Sequence, residues 1–235
     1  MNMLLRRSII DNALIIEFPL RGEWLAVNTP AKRIPSHGTD MAGQRYAYDF
    51  LMVDSGKRHF KGNIFKYLFW RIPIKNCYCW GKEIYAPCDG TIIAAKDGLK
   101  ERPYLNFFKD IVSVLKNGLF YNFEKNGVQP IAGNYIVMEC RKNIYAFFAH
   151  FKEGSITVKP GERIKKGYVL GKVGHSGNST APHLHFHLMN SPDFINAQGI
   201  PCAFKTLEVF KENQWQIVSD YVPDEKNVVR FIKKI

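Results

Sequence analysis

The stretch Gly171 to Met189, GKVGHSGNSTAPHLHFHLM, constrains the chain more than any other, because His183, His185 and His187 alternate strictly with Leu184, Phe186 and Leu188. Residues two apart share a face of a pleated strand, so this segment reads as a strand with one apolar face and one row of imidazoles. Gly171, Gly174 and Gly177, with Asn178, Ser179 and Pro182, read as a tight loop leading into it. A chain that carries this segment must build a sheet whose core lies on one side of the strand and whose nitrogen ligands stand on the other. Imidazole suits zinc, copper, iron or nickel, and same-face positions on a strand can hold one edge of a metal site without backbone strain. A lone histidine is more often a surface or core residue. Three in register point to a metal whose remaining ligands come from elsewhere.

Two earlier segments offer them. Arg33 to Val53, RIPSHGTDMAGQRYAYDFLMV, places His37 in a loop flanked by proline and glycine, Asp40 close behind it, and Asp49 among Tyr46, Tyr48 and Phe50. A carboxylate buried among aromatic strand residues is costly unless a cation or hydrogen bonds compensate it. His37 and Asp49 are therefore the candidates to complete the set, with Asp40 competing for the carboxylate place, although its simplest use is as a turn residue. His150 ends the apolar run IYAFFAH beside a loop, where sites are usually built. His59, in KRHF, reads as a surface residue.

The remainder reads as β structure with insertions. At 235 residues and 46% hydrophobic, the chain can bury a sizeable core. Strands are expected within Ala13 to Val27, Asn134 to Cys140, Ile144 to His150, Ser155 to Val158 and Arg163 to Val173, and Asp89-Gly90 signals a hairpin. Phe108, Ile111, Val112, Leu115 and Leu119 fall at helical spacing, with Lys109, Asp110, Ser113 and Lys116 on the other side and Pro103 and Gly118 as punctuation. They predict one amphipathic helix whose apolar stripe packs on the sheet. Gly56 to Trp80, basic and aromatic, reads as a partly buried insertion with solvated lysines.

A formal charge of +12 implies an anionic partner or surroundings. Nucleic acid ranks lowest, since neither an RNA-binding aromatic signature nor finger-type cysteine and histidine spacing occurs. Contact with a membrane surface through Phe60 to Trp80 is not favoured. The odd set Cys77, Cys79, Cys88, Cys140 and Cys202, with no C-x-x-C pair, reads as buried or inert thiols in a reducing compartment. The amino end reads as lacking an export leader, and no run approaches the roughly 20 apolar residues of a membrane span.

The runs SHGTD with YAYDF, GKEIYAPCDGTI, GNYIVMEC, YAFFAHF and GSITVKPGERIKKGYVLGKVGHSGNSTAPHLHFH resemble, in order, the lysostaphin-type or LytM-type zinc metallopeptidases, which cut peptide bonds in bacterial peptidoglycan. The resemblance covers most of Ile15 to Phe204, and no H-E-x-x-H motif competes with it. It implies a mainly β fold, an antiparallel sheet folded into a groove with a helical insertion. The expected organisation is a single domain over 1–235, with a core at about 15–204, insertions at about 56–80 and 99–133, and a C-terminal extension at 205–235. It further implies one Zn2+ per chain held by His37, Asp49 and His185, with His150 and His183 beside it to move a proton or steady an oxyanion, the base being either of the two. Peptidoglycan peptides would be the substrate, anionic cell-wall polymers a further partner, and the cell envelope or exterior the location. Two departures stand out. Asp49 lies farther from His37 than the family's pattern has it, which keeps Asp40 in contention, and His187 stands where the family often has a carboxylate, which suggests support of His185 rather than ligation. The alternative is a catalytically silent relative that binds wall peptides or regulates another hydrolase, with a cytoplasmic location if it does not act on the wall.

Overall fold

The computed structural model describes residues 9–62, 71–106, 108, 110, 112 and 123–232. In chain order its strands are β1 (Leu14–Ile16), β2 (Glu23–Asn28), β3 (Tyr48–Leu51), β4 (Ile72–Pro73), β5 (Glu83–Tyr85), β6 (Gly90–Lys96), β7 (Tyr104–Leu105), β8 (Asn134–Arg141), β9 (Ile144–Phe151), β10 (Arg163–Ile164), β11 (Val169–Lys172), β12 (Leu184–Met189), β13 (Gly199–Ile200), β14 (Cys202–Lys211), β15 (Gln214–Tyr221) and β16 (Val229–Phe231). Twelve of them form one sheet, ordered β1-β14-β16-β2-β3-β12-β9-β8-β6-β10, with β13 on β12 and β15 on β14.

The histidine-bearing strand β12 sits in the middle of this sheet, antiparallel to β3 on one side and β9 on the other. Its apolar set behaves as the periodicity requires: Leu184, Phe186 and Leu188 are fully buried. They join Trp24, Tyr48, Phe50, Phe148 and Phe204 in the main core, where Phe18 packs edge-on against both Phe50 and Phe204 at 5.1 Å between ring centroids. Tyr48 and Phe50 share the core face of β3, which leaves Asp49 on the opposite face with the histidines. The Tyr48 hydroxyl donates to the Cys202 carbonyl at 2.7 Å.

The architecture is mainly β, as the sequence implies, but the sheet is mixed, because β1 runs parallel to β14. The segment after Phe204, where the sequence signals little, supplies the long hairpin β14–β15 and strand β16, which pairs with both β14 and β2. Asp89-Gly90 is not a hairpin. Strand β5 pairs with β11, β6 pairs with β8 and β10, and a Cβ at Gly90 would lie 2.4 Å from the Glu139 carbonyl oxygen, so glycine serves close strand approach there. Ser155 to Val158 is extended loop rather than strand.

Of the expected amphipathic helix, positions 108, 110 and 112 are described and are helical; Lys109, Ile111 and 113–119 lie outside the described residues. The orientation is the reverse of the expectation at those three positions. Phe108 and Val112 are exposed while Asp110 is buried, because its carboxylate accepts from the Asn106 N–H at 2.8 Å and pairs with Arg102 at 3.2 Å. In the basic aromatic insertion, Phe60, Ile72, Ile74 and Cys77 form a small buried cluster with Leu105 and Ala181, and 63–70 lie outside the described residues. His59 is not a surface residue: it packs edge-on against Phe60, and burial lowers its pKa. All five cysteines are free thiols. No helix among the described residues is long and apolar enough to cross a membrane.

Candidate metal centre

Strand register assembles the site. In adjacent strands, Asn28 of β2 lies opposite Asp49 of β3, and Asp49 lies opposite His185 of β12. Three side chains distant in sequence thereby stand in one row across the sheet. The Asn28 amide donates to Asp49 Oδ2 at 2.7 Å. His185 Nδ1 lies 2.9 Å from Asp49 Oδ1, and His37 Nε2, from the loop before β3, lies 2.8 Å from Asp49 Oδ2. One ligand atom from each of His37, Asp49 and His185 falls within 4.8 Å of the others. His183 Nε2 reaches Asp49 Oδ1 at 3.5 Å.

His150 enters the same site through a backbone irregularity. Phe147 and Ala149 of β9 line the cleft, so simple alternation would turn His150 into the core. A bulge against β8, where Asn134 faces Phe151 but Ile136 faces Phe148, and a φ of +65° at His150 break the alternation. The ring then lies 4.5 Å from that of His183, centroid to centroid. A cleft of about 290 Å3 holds His37, Asp49, His150, His183, His185 and His187 in its wall. Its other side is apolar, with Val128, Ile131 and Ala132 from the segment before β8 joining Phe147 and Ala149.

That apolar side is fixed to the histidine loop by close backbone approach. A Cβ on Gly177 would lie 2.4 Å from the Gly133 nitrogen, and Gly177 itself has φ +70°. The Asn178 N–H donates to the Ile131 carbonyl at 2.9 Å and the Asn134 N–H to Ser176 Oγ at 2.9 Å.

Hydrogen bonds to groups that can only accept fix several rings. The His150 Nδ1–H donates to the Ser176 carbonyl at 2.9 Å, and the His183 Nδ1–H to the Ala181 carbonyl at 2.8 Å. In its neutral form each ring then has one N–H, which leaves Nε2 of His150 and His183 free of hydrogen on the cleft side. At His37, Ser36 Oγ donates to the Gln44 carbonyl at 3.3 Å and accepts from Nδ1–H at 3.1 Å. With Nδ1–H given to Ser36, a neutral His37 ring has Nε2 open on the Asp49 side, where a cation could be shared. Two imidazoles and a carboxylate converging in this way form a donor set that suits a cation.

Electrostatics follow from burial and Asp49. Burial would raise the Asp49 carboxyl, but the His37 and His183 imidazoles outweigh it and hold the group well below the usual carboxylate range. Burial pushes His150, His185 and His187 down, the first and last well below the usual imidazole range. Burial opposes the charged form of His183 too, yet the neighbouring Asp49 carboxylate raises its pKa.

The two aspartates part company. Asp49 is buried among imidazoles, whereas Asp40 is exposed and bound through both carboxylate oxygens to Arg45 at 2.8 and 2.7 Å, at the start of the 3-10 turn Met41–Tyr46. His187 lies beneath His185, with Nδ1 at 3.1 Å from His185 Nε2 and Nε2 at 3.1 Å from the Ala42 carbonyl. Sequence reasoning missed the supports: Asn28, Ser36 and a seventh histidine, His175. Fully buried behind the site, His175 accepts from the Arg102 guanidinium at 3.3 Å and donates from Nδ1 to Ser179 Oγ at 3.1 Å, 3.1 Å from His183 Nδ1. Burial, with Arg102 beside it, pushes its pKa down to about 3. Its place in the glycine loop just before the histidine row was the available signal.

Among curated relatives, peptidoglycan DD-endopeptidase ShyA of Vibrio cholerae is 34% identical over 76 residues, 32% of this chain and 17% of that protein. Glycyl-glycine endopeptidase ALE-1 of Staphylococcus capitis is 45% identical over 47 residues, 20% of this chain and 13% of that protein. The chain thus spans less than a fifth of these relatives' lengths. Among solved structures, the antimicrobial peptidase lysostaphin from Staphylococcus simulans superposes with a TM-score of 0.37 at 23% identity, over 66% of this chain and 42% of that one. The profile of peptidase family M23 matches residues 76–197, a span that contains His150, His183 and His185 but neither His37 nor Asp49. With that match covering more than half of its length, the chain belongs to peptidase family M23.

Proposed function

We propose that this protein is a zinc-dependent endopeptidase that hydrolyses peptide bonds of bacterial peptidoglycan. The observation that carries the reading is the convergence of His37, Asp49 and His185 ligand atoms within 4.8 Å, in the wall of a cleft of about 290 Å3. Two imidazoles and a carboxylate suit zinc, and three protein ligands leave a fourth position for water or substrate. When bound, zinc supplies Lewis acidity that polarises a carbonyl and brings the deprotonation of water toward neutral pH.

The chain's own residues do the rest. His150 and His183, with Nε2 lone pairs toward the cleft, accept the proton of the attacking water and return it to the leaving amine. Once protonated, either ring donates a hydrogen bond to the oxyanion that forms at the carbonyl. The apolar side, Val128, Ile131 and Phe147, excludes water and seats the peptide. The charge of +12 favours a substrate embedded in anionic cell-wall polymer, and a wall substrate would lie in the envelope or outside the cell.

The test is elemental analysis of the purified protein together with clearing of purified cell walls, with and without a chelator. About one zinc per chain, chelator-sensitive clearing, loss of both in His185→Ala, and loss of clearing alone in His183→Ala support the reading. Wall clearing that persists in a metal-free protein would sink it. Zinc without clearing of any wall preparation would favour a silent binding protein.

A further inference from the structure

We propose that Cys88 and Cys140 form a dithiol–disulfide site, oxidised by a small-molecule disulfide that reaches Cys88 through a cavity of its own. The proposal goes beyond the peptidase reading and does not depend on it, since that cavity shares no lining residue with the metal cleft.

Strand pairing brings the two thiols together from distant points in the chain. Cys88 lies in the bend between β5 and β6, and Cys140 lies near the end of β8. Strands β6 and β8 are antiparallel, with Thr91 opposite Glu139, so the bend before Thr91 passes alongside residue 140. The approach is close, because a Cβ on Gly90 would lie 3.2 Å from Met138 Cγ. The Cys88 and Cys140 thiols hydrogen-bond to each other. Both residues are half-buried and pack against the main core.

The other three thiols are enclosed. Cys77 is buried in the small cluster around Phe60. Cys79 is fully buried and donates to the Pro182 carbonyl at 2.9 Å. Cys202 is fully buried as well, although near enough to bear on the Cys140 thiol. Cys88, by contrast, stands in the wall of a cavity of about 770 Å3 with Pro87, Lys166 and Lys205. Glu17 and Asp89 also face this cavity, but they pair with Lys166 at 3.7 Å and Lys165 at 3.0 Å. Lys205 adds positive charge to the wall, which favours a thiolate and an incoming anionic disulfide. Cys88 is therefore the entry thiol, and Cys140 the one that resolves.

The exchange runs in two balanced steps. Cys88 gives its proton to solvent, and its thiolate attacks one sulfur of the small disulfide. A mixed disulfide forms at Cys88, and one small thiolate leaves and is protonated. Until then the hydrogen bond with Cys88, together with burial, holds the Cys140 thiol far above the usual thiol range. A Cys88 sulfur already in a disulfide carries no charge and is a poorer partner, so Cys140 ionises more readily. Its thiolate then displaces the second small thiolate and closes the Cys88–Cys140 bond. Two protein thiols are oxidised, one small disulfide is reduced to two thiols, and two electrons pass between them. The new bond encloses residues 89–139, which include β6 and the Val128, Ile131 and Ala132 side of the cleft. Closing so long a loop restrains the unfolded chain and favours the folded one.

The experiment treats the reduced full chain with oxidised glutathione, quenches with acid, alkylates the remaining thiols in denaturant and maps the peptides by mass spectrometry. Melting of the reduced and oxidised forms is followed alongside. The unaltered protein is expected to yield the Cys88–Cys140 disulfide with Cys77, Cys79 and Cys202 alkylated, and to melt about 5–15 °C above its reduced form. Cys140→Ser is expected to stop with glutathione on Cys88, and Cys88→Ser to carry neither glutathione nor an internal disulfide. Recovery of all five thiols reduced, a mixed disulfide that persists in the unaltered protein, or a bond between any other pair overturns the proposal. So does a Cys88–Cys140 bond that lowers the melting temperature, the mark of pairing outside the native geometry, or a Cys140→Ser protein with no glutathione on Cys88. Mapping of the unaltered protein decides the matter even where a variant fails to fold. Neither zinc nor wall clearing enters the readout, so the peptidase reading stands or falls separately.

Discussion

Asn28 offers a sharp test of how the sheet, rather than the ligands alone, makes the centre. Its amide donates to Asp49 Oδ2 at 2.7 Å, the oxygen that also faces His37. The bond is charge-assisted and half-buried, and such bonds are worth roughly 1.5–3 kcal/mol. Asn28→Ala leaves the carboxylate one donor short and free to rotate away from the position shared with His37 and His185. Zinc affinity should fall about 10- to 100-fold, equivalent to about 1.4–2.7 kcal/mol, as measured by competition with a chelator at fixed pH. The metal-free protein should also lose stability. A loss of about 2 kcal/mol lowers the melting temperature by roughly 4–8 °C for a chain of this size. Asn28→Asp should be worse on both counts, because it sets a second carboxylate against the first. An Asn28→Ala protein with zinc affinity within twofold of the parent and unaltered melting would refute the argument that this hydrogen bond fixes Asp49.

The other expectations concern the supports. His175, held near a pKa of about 3 in the folded protein, takes up a proton on unfolding anywhere between pH 3 and about 6.5. Its contribution is therefore full above about pH 6.5 and is lost as pH falls, at up to about 1.4 kcal/mol per pH unit. Denaturant unfolding of the metal-free protein across that window should show a slope about one proton shallower in His175→Gln, and parallel curves would exclude the assignment. Gly177→Ala should destabilise by about 2–3 kcal/mol, since it meets backbone at 2.4 Å as well as the strain of φ +70°. Gly154→Ala, at φ +69° with nothing within 4 Å, isolates the strain and should cost about 1 kcal/mol. Equal losses in the two variants would mean that the contact with the 131–133 backbone contributes nothing.

What could be read from the chain was local periodicity, and what could not was everything set by lateral register. His183, His185 and His187 alternate with core residues inside one strand, so their common face follows from pleat geometry alone. Asp49 was legible because a carboxylate between Tyr48 and Phe50 contradicts the burial of its neighbours. Asn28 was not, because its meaning comes from lying opposite Asp49 in the next strand, 21 residues away. His150 was visible as a strand-end histidine, but the bulge that swings it into the cleft depends on how β9 meets β8. His175 acts through Arg102, 73 residues earlier. The helix expected after Pro103 turned its polar side inward at the described positions because Asp110 found Arg102, a tertiary partner that outweighs amphipathic spacing. The strands beyond Phe204 carry no strong alternation, since β15 is an exposed edge whose residues are mostly not buried.

The division of labour between strands and loops explains why such a site is specific in polarity as well as position. Strands β2, β3, β9 and β12 place side chains to within a register step, but a strand cannot choose which imidazole nitrogen bears the hydrogen. That choice falls to three backbone carbonyls: Ala42 in the 3-10 turn, Ser176 in the glycine loop and Ala181 at the approach to β12. Each takes one N–H, which in the neutral rings leaves Nε2 of His150 and His183 open to the cleft and holds His187 beneath His185. Since these loops orient the rings while the strands only place them, a change to any of the three loops should alter the ring orientations at the site before it alters the sheet.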